Sequence, residues 1–388
     1  MKIYFLMHTV FGPGGGVLTV VRNLAADLAS RHEVEIVSAV RFREEPVHPF
    51  PDNVKIRSLV DTRTGRLPRR ERKELEEALS APSTLMPSNE PHRRTYSQAT
   101  DRALREFMDS VTDGALVGMQ PGMNLAVARL GRPEVVKVGE DHRPFEIRHG
   151  DLREAMIREL PRLDAFVVLT EDDARQYREV LDPGLRIEVM PNATPAYTGR
   201  LSTLENKVVT AGGHLRPKKG FDRLVEAWAL VAEQYPDWEV RIFGSGPQEA
   251  ALERQIDELG LGGKVRLMGY STRLREEVAE SSVFVCSSRI EGYGMVLVEA
   301  MSCGVPVVSF DAPSGPASII HHGVDGYLVP NHDIPALARQ IIEVIEMGPD
   351  GRRRLAEAGL KNAAERTQPA ISARWEQLLT ELQEAKRT

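Results

Sequence analysis

The stretch R-I-E-G-Y-G-M-V-L-V-E-A-M-S-C-G, residues Arg289–Gly304, lies between two short apolar runs that have the composition of β-strands, Val283–Cys286 and Val305–Ser309. Its glycines favour a turn, and the apolar residues that follow them favour a short helix beginning near Met295. A strand, a turn, a helix and a second strand make a βαβ unit, which implies a parallel sheet.

Two glutamates occupy this stretch, although an apolar helix normally excludes carboxylates. Glu291 precedes the predicted helix and Glu299 lies about one turn inside it, so the rise per residue separates them by roughly 10 Å. The acid and nucleophile of a retaining glycosidase lie closer, about 5–5.5 Å apart. The two glutamates therefore suit opposite ends of one ligand with a diphosphate at the helix N-terminus between them. The alternative is that they only favour a helix N-terminus.

The same alternation of strands and helices recurs along the chain in two series. Strand candidates of the first series are Ile3–Met7, Val34–Val40, Leu116–Met119, Val135–Val138 and Phe166–Leu169, and its first helix candidate is Leu18–Ser30. Further strand candidates of the second series are Lys207–Ala211, Val240–Phe243 and Val265–Met268, with helices at Gly220–Gln234 and Gln248–Leu259. The sequence therefore predicts two doubly wound α/β domains that face a central cleft at the carboxyl ends of their strands.

Domain boundaries follow from composition, since 388 residues exceed the usual size of one core. The turn-rich segment Pro191–Arg200 separates the two series, which predicts a first domain over residues 1–192 and a second over 193–370. Residues 371–388 are predicted to form a C-terminal helix. The insert at about 61–96 departs from the pattern, with six basic residues and one acid between Arg63 and Lys73. It is either a solvated helix with a mobile loop or a basic arm for a phosphate-bearing acceptor or a membrane surface.

The overall composition excludes several classes of protein. A net charge of −6 provides no basic field for nucleic acid. Cys286 and Cys303 are the only cysteines, too few for a disulfide framework or a cysteine-based metal site, which favours buried thiols. No apolar run approaches the ~18–20 residues that span a bilayer. The opening residues resemble a first strand more than a signal peptide, so a cytoplasmic protein is expected, with peripheral membrane contact left open.

Two glycine-rich turns follow strands at equivalent places in the two series. The first, F-G-P-G-G-G-V-L at Phe11–Leu18, is typical of an anion site because glycines expose backbone N–H groups at a helix start. It is not a P-loop, since no G-K-[ST] follows, and Val17 occupies the third glycine position of a dinucleotide fingerprint. A Rossmann dehydrogenase is therefore a weak alternative. The second turn, I-F-G-S-G-P at Ile242–Pro247, also lacks the third glycine.

Several motifs occur in a recognisable order. These are G-G-H-L-R-P-K-K-G-F-D-R-L-V-E-A, I-F-G-S-G-P, S-S-R-I-E-G-Y-G-M-V-L-V-E-A-M-S-C-G-V-P-V-V and G-V-D-G-Y-L-V-P. Residues 205–335 thereby resemble the carboxyl-terminal domain of the retaining nucleotide-sugar glycosyltransferases of family four, which have the GT-B fold of two Rossmann-like domains. Weaker matches lie at the first glycine loop, E-D-H-R-P-F-E at Glu140–Glu146, Leu163–Glu171 and Val189–Asn192.

The resemblance implies roles for matching positions. Glu291 would bind hydroxyls of the donor sugar and Glu299 those of the ribose. Lys219 would stabilise the leaving diphosphate; the family arginine five residues earlier is replaced by His214, so Arg216 is expected to supply the second cation. His142 resembles the family histidine that contacts the donor sugar. The remaining donor-binding positions are Gly15, Gly16, Gly244, Gly246, Gly292, Tyr293, Gly294, Met295 and Val296.

The reaction that the resemblance implies is transfer of a sugar from a nucleotide donor to a hydroxyl acceptor with retention, by front-face attack and without metal or cofactor. The donor is expected to be a UDP-sugar such as UDP-glucose. The acceptor remains open between phosphate-bearing glycans, polymers, lipids and hydrophilic metabolites, as does the oligomeric state. Two alternatives stay open: a nucleotide-sugar epimerase, and a nucleotide-sugar-binding protein without catalysis, which His214 makes plausible. As in similar proteins, the C-terminal helix is expected to pack on the first domain.

Overall fold

The computed structural model describes residues 1–12, 16–63, 69–313 and 315–387, without the side chain of Arg69. The chain divides into two compact units. The first consists of Met1–Ala193 and Gln368–Thr388, and the second of Thr194–Thr367. The division near Ala193 adjoins the boundary predicted at 192, whereas the return to the first unit occurs at Gln368, earlier than the predicted residue 371.

The first unit is built around one parallel sheet. Its strands are β1 (Lys2–Met7), β2 (Glu33–Arg41), β3 (Lys55–Asp61), β4 (Ala115–Gly118), β5 (Val136–Asp141), β6 (Ala165–Val168) and β7 (Arg186–Val189). Its first helices are α1 (Gly16–Leu28), α2 (Arg69–Ser80), α3 (Gln98–Ser110), α4 (Pro121–Leu130), α5 (Gly150–Glu159) and α6 (Glu171–Arg178). The strand order is β3-β2-β1-β4-β5-β6-β7, and every neighbouring pair is parallel.

The second unit repeats this plan with six strands. They are β8 (Val208–Gly212), β9 (Glu239–Phe243), β10 (Val265–Gly269), β11 (Val283–Cys286), β12 (Val307–Phe310) and β13 (Gly326–Val329). Its helices are α7 (Phe221–Gln234), α8 (Glu249–Glu258), α9 (Leu274–Ala279), α10 (Met295–Ser302), α11 (Pro316–Ile319), α12 (Ile334–Glu346) and α13 (Gly348–Ala364). The parallel strands lie in the order β10-β9-β8-β11-β12-β13.

In both sheets the strand order reverses once, between β1 and β4 in the first unit and between β8 and β11 in the second. Loops that leave adjacent strands at such a switch point run in opposite directions, which opens a crevice at the carboxyl ends of the strands. The strands beside it are buried on both faces, as the Val, Ile and Phe residues of central parallel strands predict. The carboxyl ends of these four strands are therefore where functional side chains are expected.

The last helix, α14 (Gln368–Arg387), completes the first unit, as predicted for the C-terminal helix. It packs against α1 and β5. Trp375 is 2% exposed, and its ring lies edge-on to Phe5 of β1 with centroids 6.4 Å apart. At its surface, Lys386 pairs with Asp164 at 2.8 Å. The helix thus contributes to the hydrophobic core of the first unit.

The insert at 61–96 contains the solvated helix of the first interpretation, followed by a packed segment that neither interpretation predicted. Helix α2 is mostly exposed, and its cations pair with acids one turn later, Arg70 with Glu74 at 3.1 Å and Lys73 with Glu77 at 3.8 Å. The Pro/Ser-rich run after it is not a mobile loop, because its apolar side chains Leu85, Met86 and Tyr96 belong to the core. Residues 64–68 lie outside the described residues. Among the described residues, no helix is long and apolar enough to cross a bilayer.

Candidate functional site

The loops after β8 and β11 meet at the switch point of the second unit. Lys219 Nζ donates to Glu291 Oε2 at 2.5 Å, and Ser288 Oγ donates to the same oxygen at 2.9 Å. Gly220 makes this approach possible: its φ is 63°, and a Cβ there would lie 2.1 Å from the carbonyl oxygen of Ser287. The structure therefore joins two of the predicted site residues, Lys219 and Glu291, in one ion pair.

Helix α10 begins at Met295, as predicted, after Gly294 in a left-handed conformation with φ 96°. Its buried residues Leu297, Val298, Ala300 and Met301 fix it against the core. Among the described residues, the backbone N–H groups of Gly292, Gly294, Met295 and Val296 have no hydrogen-bond acceptor. These N–H groups lie at the positive end of the helix, so the turn can bind an anion beside the Lys219–Glu291 pair.

Glu299, in the second turn of α10, faces a different subsite from Glu291. It lines a cavity of about 440 Å³ together with Tyr197, Tyr270 and Arg275, among others. Within the described part of the chain its carboxylate accepts no hydrogen bond. Burial raises the pKa of this carboxyl, while the positive charges of Arg275 and Lys219 oppose the shift. An acceptor-only group of this kind suits a pair of ligand hydroxyls.

A second cavity, of about 150 Å³, adjoins this one, because Tyr270, Ser271 and Leu274 line both. Phe243 and Gly244 also line it. Tyr270, which follows the edge strand β10, is 75% exposed, so its ring is accessible to a ligand. Together the two cavities offer aromatic and apolar surface next to a carboxylate, a combination that fits a base and a ribose.

The glycines of the loop after β9 have a packing role. A Cβ on Gly244 would lie 1.9 Å from the carbonyl oxygen of Gly213, and one on Gly246 would lie 2.5 Å from that of Leu215. The N–H of Gly244 donates to the carbonyl of Gly269 at 2.8 Å, so it is not available to a phosphate. Gly244 can therefore contribute to donor binding only as part of the cavity wall, and the requirement for glycine comes from the contact between two loops.

The second cation is not singled out by the structure. His214 and Arg216 both have exposed side chains in the loop after β8, and the N–H of Arg216 donates to the carbonyl of His214 at 2.7 Å. His214 lines the smaller cavity beside Tyr270. Arg216 directly precedes the short 3-10 helix that carries Lys219, and among the described residues its guanidinium has no hydrogen-bond partner. Its role remains a prediction.

A hydrogen-bonded network supports the turn before α10. Arg366 Nε donates to the hydroxyl of Tyr293 at 3.0 Å, and Arg366 Nη2 donates to the carbonyl of Ser318 at 3.2 Å. Its Nη1 donates to the carbonyl of Asn362 at 3.0 Å. The carbonyl of Arg366 accepts from the N–H of Thr194 at 2.9 Å. Arg366 thus connects the two ends of the second unit to the turn before α10. Its carbonyl accepts from Thr194, and its side chain bonds Tyr293.

In the first unit, His142 follows β5 and is held in a nearly dry environment. Its side chain is 8% exposed, and its Nε2 lies 3.6 Å from Oε2 of Glu140. Among the described residues, neither ring nitrogen of His142 nor Oε2 of Glu140 has a hydrogen-bond partner. Burial lowers the pKa of His142 to about 4 and raises that of Glu140 to about 8. Both groups are therefore neutral at pH 7, and His142 can donate to or accept from an uncharged ligand.

A small cavity of about 80 Å³ lies at the carboxyl ends of β4 and β5. His142, Gln120, Arg143, Glu90 and His92 are among its lining residues. The last two belong to the insert, which the sequence did not place at a site.

Three further observations concern the predictions. Gly15 lies outside the described residues, and Gly16 is the exposed first residue of α1. Tyr197, Tyr270 and Arg275 were missed because they lie outside the motifs. Tyr197 lies just past the domain boundary, Tyr270 follows β10 and Arg275 is in α9, so position alone could have indicated them. The described residues bring Lys219 and Glu291 together and place Glu299 beside Arg275, whereas His142 belongs to the first unit.

Two doubly wound parallel sheets, each with candidate groups at its switch point, define the GT-B class of fold. Solved structures agree. Sucrose-phosphate synthase from Thermosynechococcus elongatus gives a TM-score of 0.75 at 19% identity, covering 99% of each chain. A mutant of TarM from Staphylococcus aureus, solved with fondaparinux, alpha-GlcNAc-glycerol and UDP, gives 0.73 at 16% identity, covering 97% of this chain and 99% of TarM. At these identities the likeness shows the fold.

Residues 200–362 match the family model described as "Glycosyl transferases group 1". This range covers nearly all of the second unit, Thr194–Thr367. The second unit is therefore similar in sequence to the group 1 glycosyl transferases, which supports the predicted relationship at this coarser level.

Relatives extend the similarity into the first unit. An exopolysaccharide phosphotransferase of Streptomyces coelicolor is 34% identical over 391 aligned residues, which cover 98% of this chain and 41% of that protein. The amylovoran biosynthesis glycosyltransferase AmsD of Erwinia amylovora is 27% identical over 71% of this chain and 80% of that protein. A poly(ribitol-phosphate) alpha-N-acetylglucosaminyltransferase of Staphylococcus aureus is 27% identical over 49% of this chain and 38% of that protein. The chain thus spans about two fifths of the length of the Streptomyces relative.

Proposed function

We propose that the protein is a retaining glycosyltransferase of family four that moves a sugar from a UDP-sugar to a hydroxyl group of a glycan or phosphate-bearing polymer. The observation that carries the proposal is the Lys219–Glu291 ion pair beside the N–H groups that begin α10. One switch point brings together a cation, a carboxylate and a helix N-terminus. The cation and the helix N-terminus can bind the diphosphate of a ligand, and the carboxylate can bind its sugar.

The donor is proposed to lie along the second unit. Its base and ribose occupy the cavities lined by Tyr270, and Glu299 accepts hydrogen bonds from the ribose hydroxyls. The diphosphate lies at the start of α10, and Glu291 binds hydroxyls of the sugar. Glu291 is oriented for this by Lys219 and Ser288, which both contact its Oε2 and leave Oε1 for the ligand.

Lys219 is proposed to stabilise the leaving group. When the bond between the sugar carbon and the phosphate oxygen breaks, negative charge develops on the diphosphate, and a fixed ammonium group and helix dipole stabilise that charge. The acceptor oxygen forms the new bond on the same face, and its proton passes to the departing phosphate oxygen. Retention follows from this front-face geometry. We further propose that no metal is required, since Lys219, Arg216 and α10 supply the positive charge.

The names of relatives support the donor and acceptor classes. TarM was solved with UDP, and the Staphylococcus relative is named for transfer to poly(ribitol-phosphate). The Erwinia and Streptomyces relatives are named for amylovoran and exopolysaccharide.

The test is incubation of the protein with a panel of UDP-sugars, with and without EDTA, followed by analysis of the products. We expect slow hydrolysis that releases UDP and the α-sugar and is insensitive to EDTA. The Lys219→Ala variant should lower this rate by about 10²–10³-fold, the usual effect of removing one group that stabilises developing charge. Lys218→Ala is the matched control, because Lys218 is the exposed neighbour and should leave the rate unchanged.

Other results of this experiment would indicate a different function or mechanism. Interconversion of UDP-sugars would identify an epimerase, and tight UDP binding without turnover of any donor would identify a binding protein. Loss of activity in EDTA that Mg²⁺ restores would refute metal independence.

A further inference from the structure

We propose that Glu90, which belongs to the insert at 61–96, binds a hydroxyl group of the acceptor in a pocket of the first unit that takes an uncharged, hydroxyl-rich ring. The inference rests on the proposed function, since it names the acceptor chemistry of that reaction. It assigns a binding role to a segment whose sequence suggested only a solvated helix or a basic arm.

Glu90 is a buried carboxylate with one oxygen left for a ligand. Its side chain is 3% exposed, and its Oε2 accepts the N–H of His92 at 2.5 Å. Within the described part of the chain, its Oε1 has no hydrogen-bond partner. Glu90 lines the cavity of about 80 Å³ that also contains His142. A buried carboxylate oxygen without a donor is costly, and a bound hydroxyl group would remove that cost.

The segment around Glu90 is held firmly against the carboxyl ends of the strands. The ring of His92 stacks on that of His8, which follows β1, with centroids 4.2 Å apart and planes 6° apart. Arg93 Nη2 donates to the carbonyl of Ser83 at 2.8 Å, and Tyr96 is 2% exposed. Because these contacts fix the backbone on both sides of Glu90, the carboxylate is preorganised for binding.

The buried groups of the pocket suit hydroxyl groups. Burial raises the pKa of Glu90 to about 7, so at pH 7 both protonation states are present and the carboxyl can accept a hydrogen bond from a hydroxyl group or donate one to it. Two arginines also line the pocket: the guanidinium of Arg148 is engaged by Asp141 at 2.5 Å, and the side chain of Arg143 is exposed. Burial lowers the pKa of His92 and of His142, so both imidazoles are neutral at pH 7. The Glu90 carboxyl and two neutral imidazoles complement a sugar ring, whose hydroxyls both donate and accept.

The acceptor is favoured over the donor as the occupant near Glu90. The groups proposed for the leaving group, the sugar and the ribose of the donor, Lys219, Glu291 and Glu299, belong to the second unit. His142, the one donor contact predicted in the first unit, lines the same pocket as Glu90, so an acceptor bound there would lie beside the donor sugar. Glu90 belongs to the first unit and comes from a segment outside the motifs of the donor site. Its cavity lies at the carboxyl ends of β4 and β5, where the switch point of the first sheet places ligands.

The experiment measures binding of two probes to the full chain saturated with UDP, by saturation-transfer NMR. The probes are methyl α-D-glucopyranoside, an uncharged ring, and glycerol 1-phosphate. At pH 8, above the pKa of about 7 to which burial raises Glu90, we expect the wild type to bind the glucoside in preference. Glu90→Gln should weaken that binding at least about tenfold, the usual effect of losing a charge-assisted hydrogen bond. Glu76→Gln, on the exposed face of α2, is the matched control and should bind as the wild type does.

A second variant keeps the carboxylate and changes its surroundings. A Cβ on Gly122 would lie 3.2 Å from Glu90 Oε1 and 3.2 Å from the hydroxyl of Tyr96. Gly122→Ala is therefore expected to displace Glu90 and to weaken glucoside binding as well. UDP affinity should be unchanged in both variants, and wild-type hydrogen exchange in β1 would show that their first unit is folded.

Three results would overturn the proposal: equal glucoside binding by wild type and Glu90→Gln, preferential binding of glycerol 1-phosphate, or a parallel fall in UDP affinity. Failure of the proposed function is recognised separately, because the wild type would then neither bind UDP nor hydrolyse any UDP-sugar.

Discussion

Two adjacent buried carboxyl groups of the first unit, those of Glu140 and Asp141, differ in their hydrogen-bond partners. Asp141 accepts hydrogen bonds from Tyr177 at 2.7 Å and from Arg148, whereas Oε2 of Glu140 has no donor among the described residues. Burial, reinforced by the nearby charge of Asp141, raises the pKa of Glu140 to about 8. Glu140 is therefore kept protonated beside His142, where it can donate a proton in a hydrogen bond.

This difference predicts how stability depends on pH. The pKa of Glu140 is 4.5 when unperturbed and about 8 in the folded chain, so between these values the folded state holds a proton that the unfolded state has lost. Raising the pH through this window should lower the free energy of unfolding of the first unit, by up to about 1.4 kcal/mol per pH unit. Glu140→Gln should remove this contribution, and hydrogen exchange of β5 measured from pH 5 to pH 8 would show it.

Glu146→Gln is the control, because Glu146 is an exposed carboxylate in the segment that follows β5 and should leave the pH dependence as it is. An identical dependence in Glu140→Gln and the wild type would mean that Glu140 is ionised in the fold.

Glu299 gives a second prediction at this scale. Its carboxylate has no partner among the described residues and lines the cavity assigned to the ribose, so Glu299→Ala should weaken UDP binding by about 10–100-fold. Glu291→Ala should leave UDP affinity near that of the wild type and reduce turnover of the UDP-sugar instead. Calorimetric titration with UDP checks both. Unchanged UDP affinity in Glu299→Ala would contradict the ribose assignment.

At the scale of elements, the turn before α10 depends on a residue far along the chain. Arg366 bonds the Tyr293 hydroxyl, the Ser318 carbonyl and Asn362 at once. Arg366→Met removes these bonds and leaves buried acceptors unpaired, so the turn should lose its fixed geometry. We expect the KM for the UDP-sugar to rise by about tenfold or more, with a smaller change in kcat, in steady-state kinetics.

Tyr293→Phe separates the parts of this effect, since it removes the bond between the tyrosine hydroxyl and Arg366 and leaves the bonds of Arg366 to Ser318 and Asn362. A KM raised in both variants would assign the effect to that bond. Wild-type kinetics in Arg366→Met would show that the turn is fixed without the network.

The elements also show how far the sequence predicts the fold. The central strands were predicted because burial on both faces requires continuous apolar runs. The strands β3 and β7 were missed: they form the two edges of the first sheet, where K-I-R-S-L-V-D and R-I-E-V carry charges that a half-exposed edge tolerates. Lys219 and Glu291 were each identified from matching motifs, but their ion pair was not predicted. Like the contacts of Glu90 and Arg366, it is a tertiary contact that no local pattern encodes.

On the scale of the whole molecule, a substitution that destabilises one unit should leave the stability of the other unchanged. Trp375 of α14 is buried against Phe5, and Trp375→Ala should cost about 3–5 kcal/mol of stability. The loss should fall on the first unit, to which α14 belongs. Hydrogen exchange should accelerate in β1 and stay unchanged in β8, and UDP should still protect the second unit.

Glu384→Ala, on the exposed side of the same helix, is the control and should change neither unit. Equal acceleration of exchange in β1 and β8 would show that the two units unfold as one.

Helix α14 also bears on synthesis by the ribosome. The partner of Phe5 in the core is Trp375, so the first unit cannot complete its core until the entire second unit has been translated. The second unit is continuous and can fold as soon as it emerges, whereas the first must wait with an apolar surface exposed. We therefore expect nascent chains stalled before Gln368 to recruit chaperones through the first unit, and chains released beyond α14 to lose that interaction.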